Sequence, residues 1–146
     1  MCGRFALKAP KAELIQQFGL IECDEFEPHY NIAPMQFTPI VRQTAQGQRT
    51  AKALRWGLLP SWAKDASMAA KLTNARAETV AEKRSFRSAY RHRRCIVPAS
   101  GFFEWQALAS GKQPYYLQRQ DQALLALAGL WEHWLKPDGE ALESFT

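Results

Sequence analysis

The 146-residue sequence is short of histidine and cysteine, with three of each, and its longest apolar run extends only from Leu124 to Trp131. Each shortage removes a class of protein. Cys2, Cys23 and Cys95 are odd in number and share no paired spacing, which argues against a disulfide framework and suits a reducing compartment. Together with His29, His92 and His133 they form no compact ligand pair such as Cys-x-x-Cys, so no metal is expected. Phosphate-cradling glycine loops of the common kinds are missing too, and no cofactor is expected. The apolar run is far too short to cross a bilayer, and the N-terminus lacks a basic region followed by an apolar stretch. The expectation is a cytoplasmic protein with no membrane partner. No internal repeat or low-complexity tract interrupts the chain. An apolar fraction of 47% is enough for one domain over residues 1–146 with a real core.

What is present is positive charge, unevenly spread. Residues 1–94 hold 16 basic and 8 acidic side chains, whereas residues 95–146 hold 3 and 6, giving a net charge of +5. The densest stretch is Lys83-Arg84, Arg87 and Arg91-His92-Arg93-Arg94. Such a concentration attracts phosphates by Coulomb steering and counterion release, although a charge run by itself equally describes a solvated helix face. Five tryptophans and eight phenylalanines favour the first reading, because single-stranded nucleic acid stacks on aromatic faces beside cations.

Hydrophobic periodicity divides the chain into short pieces. Ala9 to Phe18 reads as an amphipathic helix, with Pro10 near its start and Gly19 as its stop. Glu22 to Tyr30 is acidic and irregular, and Tyr30 to Pro34 reads as a loop. Phe37 to Arg42 and Thr50 to Trp56 pair as a hairpin around Gln46-Gly47. Gly57 to Asp65 has no clean period and is expected to be an ordered loop displaying apolar side chains. Thr79 to Tyr90 has helical spacing. Cys95 to Pro98, Phe102 to Gln106, Tyr115 to Arg119 and Leu124 to Leu130 read as strands, and Ala141 to Thr146 begins another after the Lys136-Pro137-Asp138-Gly139 turn. The expected class is α+β, mainly antiparallel and barrel-like with a few short helices, and C-terminally truncated.

The chemistry concentrates at Cys2. Removal of Met1 leaves a residue with both a free α-amine and a thiol; the amine condenses with an aldehyde, and the thiol closes on the imine carbon to give a thiazolidine. The alternative is a small buried hydrophobe at the start of a strand. Glu104, in Gly101-Phe102-Phe103-Glu104-Trp105, is the candidate proton shuttle, because aromatic neighbours desolvate a carboxyl group and raise its pKa. An exposed glutamate on an edge strand is the competing reading. Asn74, Arg76 and Glu78 alternate, so in an extended segment they share a face. Asn74 is then a donor for a sugar hydroxyl or the α-amine, and Arg76 a bidentate phosphate ligand unless it pairs with Glu78.

Seven segments in order resemble the SRAP (SOS response-associated peptidase) family. They are Met1-Cys2-Gly3-Arg4-Phe5, Tyr30-Asn31-Ile32-Ala33-Pro34, Arg55 to Ala63, Asn74-Ala75-Arg76-Ala77-Glu78-Thr79, Arg94 to Ala99, Gly101 to Trp105 and Ala128-Gly129-Leu130-Trp131-Glu132. The resemblance implies capture of abasic sites in single-stranded DNA through a thiazolidine cross-link, in a DNA-damage or SOS response at the nucleoid. It assigns Cys2 as nucleophile, Asn74 as orienter and Glu104 as acid/base group. It places Arg4, Arg76 and Arg84 on phosphates and Trp105 beside the site, with Met35, Phe37, Trp56 and Trp62 as base-contacting or wedging residues. The family also uses a histidine in a His-x-Arg-x-Pro-like context that these residues lack, and that role transfers to none of His29, His92 and His133. A monomer is expected. The family resemblance also admits a lyase-like activity beside the self-modifying cross-link, and two other functions stay open: a cysteine-type peptidase, acting generally or only on its own Met1 bond, and a non-covalent single-strand-binding module.

Overall fold

Short strands with distant partners dominate the computed structural model, which describes residues 2–136 and 138–146. In chain order the elements are β1 (Arg4–Leu7), α1 (Lys11–Phe18), β2 (Leu20–Cys23), β3 (His29–Ile32), β4 (Phe37–Gln43), β5 (Arg49–Trp56), a 3-10 helix (Ala66–Lys71), α2 (Arg87–His92), β6 (Arg94–Ala99), β7 (Gly101–Leu108), β8 (Gly111–Leu117), β9 (Leu125–Leu135) and β10 (Ala141–Phe145). The expected α+β class with a barrel-like, mainly antiparallel sheet is what the chain forms. Strands β10, β9, β6, β4 and β5 follow one another antiparallel. A parallel pairing of β10 with β5, Ser144 opposite Arg55 and Phe145 opposite Trp56, closes them into a ring. The rest of that β5 edge is taken by β2, also parallel. A second sheet, in the order β3-β1-β7-β8, lies beside the ring.

One core joins the two sheets. Phe5 on β1 meets the Trp56 ring edge-on at 5.1 Å between centroids, and Trp56 stacks on Phe145 at 6.4 Å. Phe5, Leu7, Leu14, Ile32, Ile40, Leu54 and Phe145 are all buried in the same cluster. A phenylalanine so buried contributes roughly 1.5–3 kcal/mol, so each aromatic in this stack matters to the whole. Gly19 ends α1 in the left-handed conformation, with φ +61, as its position after Phe18 foretells.

The structure departs from the sequence reading in four places. Gly57 to Asp65 does not display its apolar residues: Leu58 and Leu59 are fully buried, and only Trp62 in this run is a large exposed hydrophobe. Hydrogen bonds hold the segment down: Gly57 N–H to the Phe145 carbonyl at 2.8 Å, Leu58 N–H to the Leu72 carbonyl at 3.0 Å, Leu59 N–H to Ser144 Oγ at 2.8 Å, and Trp134 Nε1 to the Ala63 carbonyl at 2.8 Å. Residues 79–86 are mostly turns, and helix begins only at Arg87; of this stretch Phe86 and Ala89 are buried against Leu58 and Leu130, with Val80 partly buried beside them. The stretch expected to be irregular over Glu22 to Tyr30 and a loop over Tyr30 to Pro34 overlaps two strands, β2 and β3, made by their partners β5 and β1. Tyr115 to Arg119 is displaced, since β8 runs from Gly111 to Leu117 as the far arm of a hairpin with β7. Met1, whose removal the Cys2 chemistry requires, and Pro137 of the expected turn lie outside the described residues.

Candidate functional site

The buried indole of Trp56 sets the site's first constraint by donating from Nε1 to the Thr73 carbonyl at 2.8 Å. That bond pins an irregular segment over the open end of the core. The next residue, Asn74, donates from Nδ2 to the backbone carbonyl of Cys2 at 2.8 Å. Cys2 is half-buried, packs against the core cluster and places Sγ 3.4 Å from the Arg4 carbonyl oxygen. The third member arrives through strand register. Arg4 lies opposite Phe103 and Phe5 opposite Phe102, so continuing the antiparallel register brings Glu104 level with Gly3, beside the start of β1. Burial holds the Cys2 thiol above its ordinary value of 9.0, and the neighbouring Glu104 carboxylate pushes in the same direction.

The structure therefore gathers Cys2, Asn74 and Glu104 from three separate parts of the chain. A thiol kept neutral beside a carboxylate suits proton exchange with an adding sulfur better than standing thiolate chemistry. Among the described residues no histidine hydrogen-bonds to Cys2, and no group of three metal-ligating side chains occurs. The buried Cys95 thiol, pushed up to about 12 by burial, lines a cavity of about 460 Å³ that adjoins the site through Asn74 and is walled by Val80, Tyr90 and Leu130.

Alternation along β7 splits the remaining candidates between two faces. Glu104 shares the inward face with Phe102, whereas Phe103 and Trp105 share the outward face with Arg4. Trp105 is 43% exposed and lies 6.4 Å from the Phe103 ring, and Arg4 Nη1 donates to Asn31 Oδ1 at 3.0 Å. Arg76 is exposed, and no ion pair with Glu78 occurs among the described residues; the segment is irregular, not a strand with three aligned side chains. Arg84 stacks its guanidinium over the exposed Trp62 ring at 4.5 Å. Phe37, 59% exposed, lines a groove of about 660 Å³ with Arg55 and Lys64. Met35 adopts a left-handed φ of +73, and its Sδ accepts from Arg55 Nη2 at 3.2 Å.

Trp56 requires correction as a base-contacting residue. It is 4% exposed between Phe5 and Phe145, so its ring is unavailable to a base and its part is to hold the Thr73 carbonyl. Two residues at the site escaped the sequence reading. Asn31 is visible only once β3 pairs with β1, and Tyr115 lies opposite Glu104 only once the β7–β8 hairpin has its register.

Comparison with known proteins gives a consistent picture. The chain is 41% identical over 150 residues to the abasic site processing protein YoqW of Bacillus subtilis, covering 100% of this chain and 66% of that protein's length. It is 34% identical over 154 residues to the abasic site processing protein HMCES of Xenopus tropicalis, covering 86% of this chain and 46% of that one. A crystal structure of a Bacteroides thetaiotaomicron protein superposes with a TM-score of 0.87 at 28% identity, over 99% of this chain and 66% of that one. The SRAP description, SOS response associated peptidase, matches residues 1–146, and the chain belongs to the SRAP family.

Proposed function

We propose that this chain recognises abasic sites in single-stranded DNA and joins them covalently through Cys2 once Met1 has been removed. The observation that carries the reading is the convergence of Asn74 on the Cys2 carbonyl at 2.8 Å with a Glu104 carboxylate near enough to perturb the Cys2 thiol. Abasic-site processing is also the activity named for relatives such as YoqW and HMCES.

The chemistry balances without a cofactor. The Cys2 α-amine adds to the aldehyde carbon of the ring-opened sugar to give a carbinolamine. The Glu104 carboxylate takes the proton that the adding amine releases and passes it to the departing hydroxyl, and one water leaves as the imine forms. The thiol then adds across the C=N bond: sulfur bonds to carbon, and its proton passes through Glu104 to nitrogen. Asn74 keeps the residue that bears both nucleophiles in one orientation by holding its carbonyl. Arg4, Arg76 and Arg84 bind phosphates, and Trp105, Trp62, Phe37 and Met35 contact bases; Trp56 supports them from the core. This function needs one polypeptide and one strand, and the protein acts as a monomer.

The test is an oligonucleotide with a single abasic site mixed with Met1-processed protein. A species that survives denaturing electrophoresis without borohydride is expected, with none from an intact-base control. Cys2→Ala is expected to lose that species while keeping salt-sensitive binding. Full cross-linking by Cys2→Ala refutes the thiazolidine, and turnover of unrelated peptides by the parent favours the peptidase instead.

A further inference from the structure

The β3-β1-β7-β8 sheet sorts its charges by face. Glu104 is the only carboxylate in these four strands, and alternation turns it inward with Phe102 and Phe5. On the outward face, Phe103 lies opposite Tyr116, Trp105 opposite Pro114 and Ala107 opposite Lys112. Arg4 belongs to that face through its pairing with Phe103. So does Lys8, whose Nζ sits 4.2 Å from the centroid of the Tyr116 ring. The rings form a continuous run, with Tyr116 to Phe103 at 4.9 Å and Phe103 to Trp105 at 6.4 Å between centroids.

Three cations and three aromatic rings with no carboxylate on this face make a surface for a polyanion with flat bases. From Tyr116 to Lys112 is four strand residues, about 13 Å, the reach of roughly two nucleotides. Lys112 is exposed at one end and Lys8 at the other. Tyr116 also explains why residue 101 is glycine, since a Cβ there would stand 2.5 Å from the Tyr116 ring carbon that carries the hydroxyl. The tight seating of Tyr116 on β7 keeps the run of rings rigid.

The geometry points to this outward face, ending at Lys8 and Lys112, as the track for the single-stranded DNA flanking the lesion, with Lys8 and Lys112 as phosphate ligands, Trp105 and Phe103 as its stacking floor, and Tyr116 beneath Lys8 as the support that fixes them. The inference rests on the proposed capture of abasic DNA at Cys2, and it extends that site outward over the rim from Arg4 and Trp105. Lys8 and Lys112 lie outside the reacting centre, so the track and the covalent chemistry fail separately.

The probe is a thymidine oligonucleotide with one central tetrahydrofuran, an abasic sugar without the reactive aldehyde, so that binding is reversible. Lys8→Gln/Lys112→Gln is compared with the parent and with Lys11→Gln/Lys52→Gln, which removes the same charge from lysines paired with Glu25 and Glu143. The expected result is affinity roughly 10-fold weaker near 0.1 M salt, and a log K against log salt slope shallower by about 1.4, or about 0.7 per phosphate. The control keeps the parent slope. With a true abasic site at saturating DNA, the double variant cross-links as fully as the parent. An unchanged slope, or an equal fall in the control, overturns the track. Loss of cross-linking by the parent itself would instead overturn the covalent reading while leaving the slope comparison intact.

Discussion

Replacing Asn74 with alanine deletes two hydrogen bonds from Nδ2, a long one to the neighbouring Thr73 Oγ1 at 3.3 Å and the one that matters to the site, to the Cys2 carbonyl at 2.8 Å. The bond is partly buried and joins residues 72 positions apart, so it fixes the chain start against a distant loop. As a neutral hydrogen bond at a rim that water can reach, it contributes about 1 kcal/mol to stability, which lowers Tm by about 3 °C in a domain of this size. Its effect on chemistry is larger. Freed of Asn74, the residue carrying the amine and thiol is misplaced relative to Glu104, and misplacement of about 1 Å costs up to about 100-fold in rate. The expected outcome is a cross-linking rate at saturating abasic oligonucleotide lowered by about 10- to 100-fold, with reversible affinity nearly unchanged. Asn74→Asp should recover nothing, because it turns an acceptor toward the Cys2 carbonyl. Quenched-flow sampling on denaturing gels gives the rate, and fluorescence anisotropy gives the affinity. Cross-linking at the parent rate by Asn74→Ala, or a loss explained wholly by weaker binding, refutes the orienting role.

Two further outcomes test the frame around the site. Gly57 has φ +115, and a Cβ there would meet the Ala69 carbonyl oxygen at 2.8 Å as well as Met35 Cε at 2.7 Å; Gly57→Ala should therefore lose about 3 kcal/mol in chemical denaturation, while a loss below about 1 kcal/mol contradicts the packing. Cys95, whose thiol burial pushes up from 9.0 to about 12, ties stability to alkaline pH. Above the ordinary thiol range the unfolded chain has lost this proton and the folded chain has kept it, so stability falls as pH rises through that window, by at most about 4 kcal/mol. Urea melts of Cys95→Val against parent from pH 8 to 11 should show a shallower decline in the variant, and parallel curves would contradict it.

The hairpin of β4 and β5 and the Gly19 stop were legible because their signals are local: alternation, a turn glycine, and a period that ends. Cys2, Asn74 and Glu104 were named from the residues as candidates, but nothing within the sequence joins positions 2, 74 and 104. That juxtaposition comes from β1 pairing with β7 and from the Trp56 indole catching Thr73. The same long-range pairing made β2 and β3 invisible, since four-residue strands with exposed side chains carry no period of their own. Trp56 was misread for a related reason. Its base-contacting role came from the resemblance, and strand alternation alone does not say which face of β5 is covered until the parallel β10–β5 contact sets Phe145 against the ring.

The mass of the species formed by Met1-processed protein and an abasic oligonucleotide tests the covalent capture most directly. A thiazolidine predicts the sum of the two masses less one water, unaltered by borohydride and absent from Cys2→Ala. An adduct that gains two hydrogens under borohydride, or that forms as well without the Cys2 thiol, is an imine alone and contradicts the central claim.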